Sequence, residues 1–235
     1  GGRVKDLPGV LGFYQDNVAS APDDLYLDFV VSSEVGSEDG VVILHACYSG
    51  PEEKADSLIA PILKAGTPVH NGIKAIDYVA IQSSWDNTDP RNTGSYLKSG
   101  FINEFPDQLV STILQNYKTF NERGTTLFFQ HSGGAIGRVP VDATAFAHRK
   151  SIANMFAVVS WPLSEPRESH IAYVKEYWKD LEPFVDGWYT NDVSDESVKA
   201  VNRNYQGNYE RLVAVKNRYD PSNLFRLNAN VKPTV

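Results

Sequence analysis

The sequence predicts an α+β fold, an antiparallel sheet with helices covering one face. Two observations carry this reading. Segments with a two-residue apolar period are interspersed with segments of helical period, and the chain opens strand–strand–helix. That opening favours an antiparallel sheet over a doubly wound parallel one.

The first strand is DLYLDFVVSS (24–33), where Leu25, Leu27, Phe29 and Val31 fall on one face. The second is VVILHACYS (41–49), and the turn-rich EVGSEDG between them predicts a hairpin. PEEKADSLIAPILKAG spaces Ala55, Leu58, Ile59, Ile62 and Leu63 as a helix face. Pro51 and the acids suit its first turn, and Gly66 suits its C-terminal cap. IKAIDYVAI reads as a short helix. TDPRNTGSYLKSGFIN reads as a polar loop leading into a short strand. FPDQLVSTILQNYKTF sets Leu109, Val110, Ile113, Leu114 and Tyr117 on one helix face. TTLFFQHS (125–132) is a strand, GGAIG a tight turn, and SIANMFAVVSW (151–161) a long central strand. EPRESHIAYVKEYWKDLEPF carries Ile171, Val174, Tyr177, Trp178 and Leu181 and is a helix. NDVSDESVKAVNRN, after Tyr189, reads as a surface loop or exposed helix. Tyr205, Tyr209, Leu212, Val213, Lys216 and Tyr219 then share one face of a last helix. Asp220 caps the following turn, with Pro221 at its first position.

Composition narrows the function classes. Apolar residues make up 42% and charged residues 22% of the 235, a globular balance. A net charge of −7 argues against a nucleic-acid surface and an anionic membrane surface. No apolar run approaches the roughly 20 residues that span a bilayer. The start, GGRVKDLPG, has neither an initiator Met nor a signal-peptide pattern, and we expect a processed or truncated product. Cys47, the single cysteine, excludes an internal disulfide and reads as a small core residue within its apolar run.

Motifs for a nucleophile elbow, a P-loop, a dinucleotide fold and a zincin are all absent. HSGGAIG resembles a phosphate loop only superficially, since no Lys is placed to hold a phosphate. The five histidines show no ligand spacing, so no metal site is expected. His45 reads as a core group and His170 as a helix-surface residue. His131 and His148 flank a loop and are the better functional candidates. Tyr189, Tyr205 and Tyr209 gather with Asn191, Asn204 and Asn208 in the last quarter. Tyr can serve as a general base and Asn as donor or acceptor, although a polar loop with packed aromatics has the same composition. The final stretch holds Leu224, Phe225, Leu227 and Val231, apolar residues where a terminus is usually polar.

The C-terminal residues carry a resemblance. Gly207, Asn208, Tyr209, Arg211, Leu212, Val215, Lys216, Tyr219, Asp220, Pro221, Asn223, Leu224 and Phe225 match, without a break, the C-terminal signature of the berberine-bridge-enzyme-like FAD-linked oxidases of the vanillyl-alcohol-oxidase superfamily. GWYTNDV (187–193) resembles that family's Tyr-x-Asn strand. HSGGAIGRVPVDATAFAHR (131–149) resembles its Gly-Gly loop followed by Thr-Ala-Phe-x-His-Arg. GSYLKSGFINEF and Trp161-Pro162 agree more weakly. The resemblance covers nearly the whole chain but only half of the family's architecture.

The resemblance implies a substrate-binding domain over residues 1–190. It also implies a C-terminal segment, 191–235, that packs against an FAD-binding domain not contained in this sequence. The implied cofactor is FAD, bound mainly by that domain, and the implied partner is a small-molecule substrate, with no nucleic acid and no membrane. The implied chemistry is hydride transfer from an alcohol, sugar or related carbon to FAD, with oxygen as acceptor. Tyr189 occupies the position of the family's catalytic base; its alternative role is packing within a strand. Asn154 and Phe156, counted back from Trp161 by strand period, are expected substrate-wall residues together with Asn191. Phe156 departs from the longer polar residues usual in the family and points to a less polar substrate or another register. Asn208 and Tyr209 resemble residues near the flavin, with helix capping and packing as the alternative. A different class remains open: a non-catalytic module that holds a sugar or phenolic ligand.

Overall fold

The computed structural model describes residues 1–33, 40–84, 86, 92–117, 125–192, 202, 204–227 and 229–235. Six strands form one sheet: β1 (Gly2–Arg3), β2 (Leu25–Ser32), β3 (Val41–Tyr48), β4 (Thr93–Ile102), β5 (Thr125–His131) and β6 (Ala153–Pro162). Their order is β1-β3-β2-β5-β6-β4, and every pairing is antiparallel. The predicted hairpin is present, with Leu25 opposite Tyr48 and Ser32 opposite Val41. Its connecting turn lies outside the described residues.

Period-2 side chains decide the two faces. Leu25, Leu27, Phe29 and Val31 of β2, Leu127 and Phe129 of β5, and Met155, Ala157 and Val159 of β6 are buried in one core. Helices α1 (Leu7–Asn17), α2 (Ala55–Leu63), α4 (Asp107–Asn116) and α6 (Arg167–Leu181) all contribute to that core. α6 buries Val174, Tyr177, Trp178 and Leu181 as its periodicity predicts, and α4 buries Leu109 and Ile113. Short helices α3 (Tyr78–Ser83) and α5 (Ala135–Arg138) lie on connections. The last helix, α7 (Tyr209–Tyr219), buries Val213 alone. The α+β class therefore holds.

Several local expectations change. Helix α1 escaped the sequence reading, yet Leu7, Val10, Leu11 and Tyr14 are buried at i, i+3, i+4 and i+7. Pro8 suits its first turn, while Gly9 and Gly12 lower its intrinsic propensity and mask it. The helix after Pro51 begins as a 3₁₀ turn, contains Pro61 and ends at Lys64 in right-handed geometry, so Gly66 does not cap it. The strand after TDPRN is ten residues long rather than short. Cys47 and His45 are exposed, because in β3 they point to the face the helices leave open. His170 is buried instead of exposed, stacked on Trp161 at 5.0 Å and bonded to Glu165 at 2.9 Å. Tyr205 lies ahead of α7, and Tyr219 is exposed, so the predicted single face is reduced to its middle. Most of NDVSDESVKAVNRN lies outside the described residues. Among the described residues, no helix is long and apolar enough to cross a membrane.

Candidate functional site

A cleft opens on the other side of the sheet. The alternation that sends Phe129 and Met155 into the core turns Gln130 and Asn154 the opposite way, where they face each other and Phe101 across β5, β6 and β4. The loop after β5 and residues from the C-terminal third close around them. The result is a cavity of about 350 Å³ lined by Tyr26, Phe101, Gln130, His131, Asn154 and Tyr189, together with Ser132, Ile136 and Phe146.

Among the described residues, the lining is aromatic with neutral polar groups and contains no Lys or Arg. One flank carries Tyr26, whose hydroxyl bonds the Asp28 carboxylate and whose acidity is suppressed, first by burial and then by that carboxylate. Burial also raises the Asp28 carboxyl above the usual range, while its hydrogen bonds, including the one from the His131 backbone N–H at 3.0 Å, oppose the rise. Burial lowers His131, which favours its neutral ring. The Tyr26 and His131 rings lie 6.0 Å apart.

The other flank carries Tyr189, 41% exposed. Its phenolic oxygen accepts a hydrogen bond from Asn191 Nδ2 at 2.7 Å. The hydroxyl proton is thereby left free to point elsewhere. Asn154 Nδ2 donates to Asp192 Oδ2 at 3.3 Å, which links β6 to the same segment. Burial raises the Asp192 carboxyl, and the Asn154 bond opposes it. Asn154 Oδ1 is enclosed by protein without a hydrogen-bond partner. An unpartnered acceptor buried behind a cleft wall costs free energy.

The segment around Tyr189 is not the strand expected for GWYTNDV. Only Asp186 and Gly187 pair with β4, through Asp186 N–H to Phe101 O and Phe101 N–H to Gly187 O, both 2.8 Å. Gly187 then adopts φ 83°, and Thr190–Asp192 close a 3₁₀ turn with Asp192 N–H on Tyr189 O at 3.0 Å. The left-handed residue ends the ladder.

Tyr189 and Asn154 thus meet at the cleft, and Asn191 reaches it through Tyr189. Phe156 does not line the cavity: it is buried and stacked on Phe128 at 4.4 Å. Asn208 is buried and donates to Val141 O at 2.8 Å and Thr144 O at 3.1 Å, so it ties α7 to that loop and gives its own helix no side-chain cap. Tyr209 is half-buried at the start of α7. Tyr26, Asp28, Gln130 and Phe101 were missed as site residues. Counting alternate positions along β2 and β5, as was done for β6, would have found Tyr26, Asp28 and Gln130.

A family model described as berberine and berberine like matches residues 165–232. An FAD-linked oxidoreductase of Dictyostelium discoideum is 28% identical over 98% of this chain and 53% of its own length. The uncharacterized FAD-linked oxidoreductase YvdP of Bacillus subtilis is 30% identical over 83% of this chain and 45% of its own. Among solved structures, berberine bridge enzyme in complex with (S)-reticuline superposes with a TM-score of 0.83 at 14% identity, covering all of this chain and 53% of that one. The carbohydrate oxidase of Microdochium nivale in complex with a substrate analogue superposes with a TM-score of 0.79 at 18% identity, over 98% of this chain and 53% of that one. These likenesses place the fold in the class found in FAD-linked oxidases. The chain is similar to berberine-bridge-enzyme-like and other FAD-linked oxidoreductases over most of its length, the family model itself matching its C-terminal part. It spans about half the length of the curated relatives it matches.

Proposed function

We propose that this chain is the substrate-binding part of a flavin-dependent oxidase that acts on a neutral alcohol, sugar or related hydroxylated compound, with oxygen as final acceptor. The observation that carries the proposal is Tyr189 in the lining of a polar-aromatic cleft, its oxygen held by Asn191 at 2.7 Å, with Gln130 and Asn154 in the same lining.

FAD, when bound, supplies the hydride acceptor. The residues present fit a flavin brought from elsewhere: the cleft is open on a sheet face, with the exposed Tyr189 hydroxyl in its lining. In this reading residues 1–190 bind substrate, and 191–235 pack against an FAD-binding domain outside this sequence. Leu224, Phe225 and Leu227, 70%, 78% and 85% exposed, supply an apolar surface for that contact. Asn208 supports the same side indirectly by fixing the 141–144 loop, and Tyr209 stands beside it.

The chain's own residues do the rest. Aromatic walls at Tyr26, Phe101 and Phe146 stack a ring and displace water. Gln130 and Asn154 orient its hydroxyls through hydrogen bonds. The Tyr189 oxygen accepts the proton of the hydroxyl being oxidised as the tyrosine's own proton passes to water, and the Asn191 N–H stays with that oxygen through the transfer. The substrate thus loses a hydride from carbon and a proton from oxygen, becoming a carbonyl compound. Among the described residues the lining carries no Lys or Arg, which supports an uncharged substrate over a phosphate or carboxylate.

The test is anaerobic mixing of the full-length protein, carrying its flavin, with a panel of neutral sugars and aromatic alcohols and with their phosphorylated or carboxylated counterparts. Bleaching of the flavin by neutral members alone is expected. Bleaching by none, or only by the anionic ones, overturns the reading.

A further inference from the structure

His148 does not line the cleft, yet it is one of the most completely engaged side chains in the molecule. It is 5% exposed. Its ring stacks on Phe101 at 4.8 Å and meets Phe146 edge-on at 5.8 Å, two residues of the cleft wall. Its Nε2 lies 3.0 Å from both the backbone oxygen and the Oδ1 of Asn204. Asn204 Oδ1 also accepts the Trp188 backbone N–H at 2.8 Å, which fixes it as an acceptor. His148 Nε2 therefore carries the proton. Gln206 Nε2 donates to Nδ1 at 3.4 Å, in agreement with that tautomer.

The imidazole also shapes the backbone. Gly187 sits flush against it, and a Cβ there would meet His148 Cε1 at 2.3 Å and Asn204 Oδ1 at 2.7 Å. Gly187 is held on its other side by β4, and Trp188 by Asn204. The next residue is Tyr189. Two consecutive positions are thus located by one histidine–asparagine pair, and the next, Tyr189, lines the cleft.

We infer that His148 and Asn204 form a positioning pair that sets the Tyr189 oxygen at its reacting position. This rests on the assignment of Tyr189 as proton acceptor. The pair touches no substrate and acts through the backbone of 187–188, as groups behind a reacting residue commonly do. A displacement of about 1 Å at a reacting group costs on the order of 100-fold in rate. Loss of the pair should therefore appear in the chemical step and leave substrate affinity nearly unchanged.

The experiment is a double-mutant cycle on flavin reduction in the full-length, flavin-loaded protein. His148→Leu and Asn204→Leu are each made alone and with Tyr189→Phe, with melting temperatures recorded alongside. His148→Gln, whose amide keeps an N–H near the Nε2 position, is the conservative partner. Each Leu variant is expected to slow reduction by about 10- to 100-fold with substrate Kd changed less than about threefold. In the Tyr189→Phe background the further loss should be under about twofold, because the group being positioned is gone. His148→Gln should recover most of the rate, and it serves in the same cycle if the Leu variants do not fold. Losses that multiply in the Tyr189→Phe background, or a His148→Gln protein as slow as His148→Leu, overturn the positioning role alone. A Tyr189→Phe protein that reduces flavin at full speed removes the base assignment and this inference with it.

Discussion

Asn191 Nδ2 lies 2.7 Å from the phenolic oxygen of Tyr189, two residues away around one 3₁₀ turn. Both side chains are exposed, so the contact does not hold the fold together. Its consequence is chemical: an N–H is directed at the atom assigned to receive a proton. A hydrogen bond to a charged group is worth about 1.5–3 kcal/mol. Asn191→Leu should therefore slow flavin reduction in the full-length protein by about 10- to 100-fold while the melting temperature stays within about 2 °C. Unchanged reduction would remove Asn191 from the site.

Tyr14 offers a stability test independent of function. It is fully buried among Phe29, Phe105 and Phe129, with ring centroids 5.6–5.9 Å away. Its hydroxyl has no hydrogen-bond partner. Removing an unsatisfied buried hydroxyl while keeping the ring relieves a cost of about 1 kcal/mol. Tyr14→Phe should match or exceed the parent in thermal stability, by about 2–4 °C at most. A substantial loss would show that the hydroxyl is partnered.

The same residue predicts an alkaline dependence. Burial, with smaller contributions from Asp28 and Tyr26, raises Tyr14 well above its ordinary value near 10. Its stabilising contribution is fully present below the unfolded-state value. As pH rises past about 10 the unfolded chain loses this proton first, and stability falls. Denaturant melts at pH 8 to 11 should show a smaller decline for Tyr14→Phe than for the parent.

Asp220 ends α7 and organises the turn beyond it. It receives hydrogen bonds from Lys216 Nζ, from Leu224 N–H at 2.7 Å and from Phe225 N–H at 3.1 Å. The Lys216 bond, assisted by those two N–H groups, holds its carboxyl below the usual range. That contribution is present above about pH 4 and is lost as pH falls through the depressed value. Asp220→Ala should leave residues 221–227 more readily cut by protease at neutral pH. The parent should approach the same susceptibility only in strong acid.

Most of the sheet and its large helices were legible because each buries a single face, and burial writes period 2 or 3.6 into the sequence. Helix α1 was lost where Gly9 and Gly12 weakened a pattern that Leu7, Val10, Leu11 and Tyr14 nevertheless keep. Cys47 and His45 were misplaced because an apolar run in an edge-proximal strand says nothing about which face is covered. Tyr189 and Asn154, both named from the sequence, line the cleft. Phe156 has the same parity as Asn154 but packs on Phe128, two residues further into the sheet than the cleft extends. Tyr26, Asp28 and His148 depend on contacts across 105, 103 and 56 positions, and no local spacing encodes such separations. (Tyr26 and His131 are 105 apart in number, and their rings touch only because β2 and β5 are neighbours.)

The central claim is that Tyr189 accepts the substrate's proton. Its most direct test is the rate constant for anaerobic flavin reduction, measured by rapid mixing of saturating substrate with full-length protein and its Tyr189→Phe variant. Phenylalanine keeps the ring in the cleft and removes only the oxygen. A loss of about 10²–10⁴-fold with an unchanged melting temperature is the predicted result. Reduction at the parent rate would contradict the claim and leave Tyr189 as part of the cleft wall.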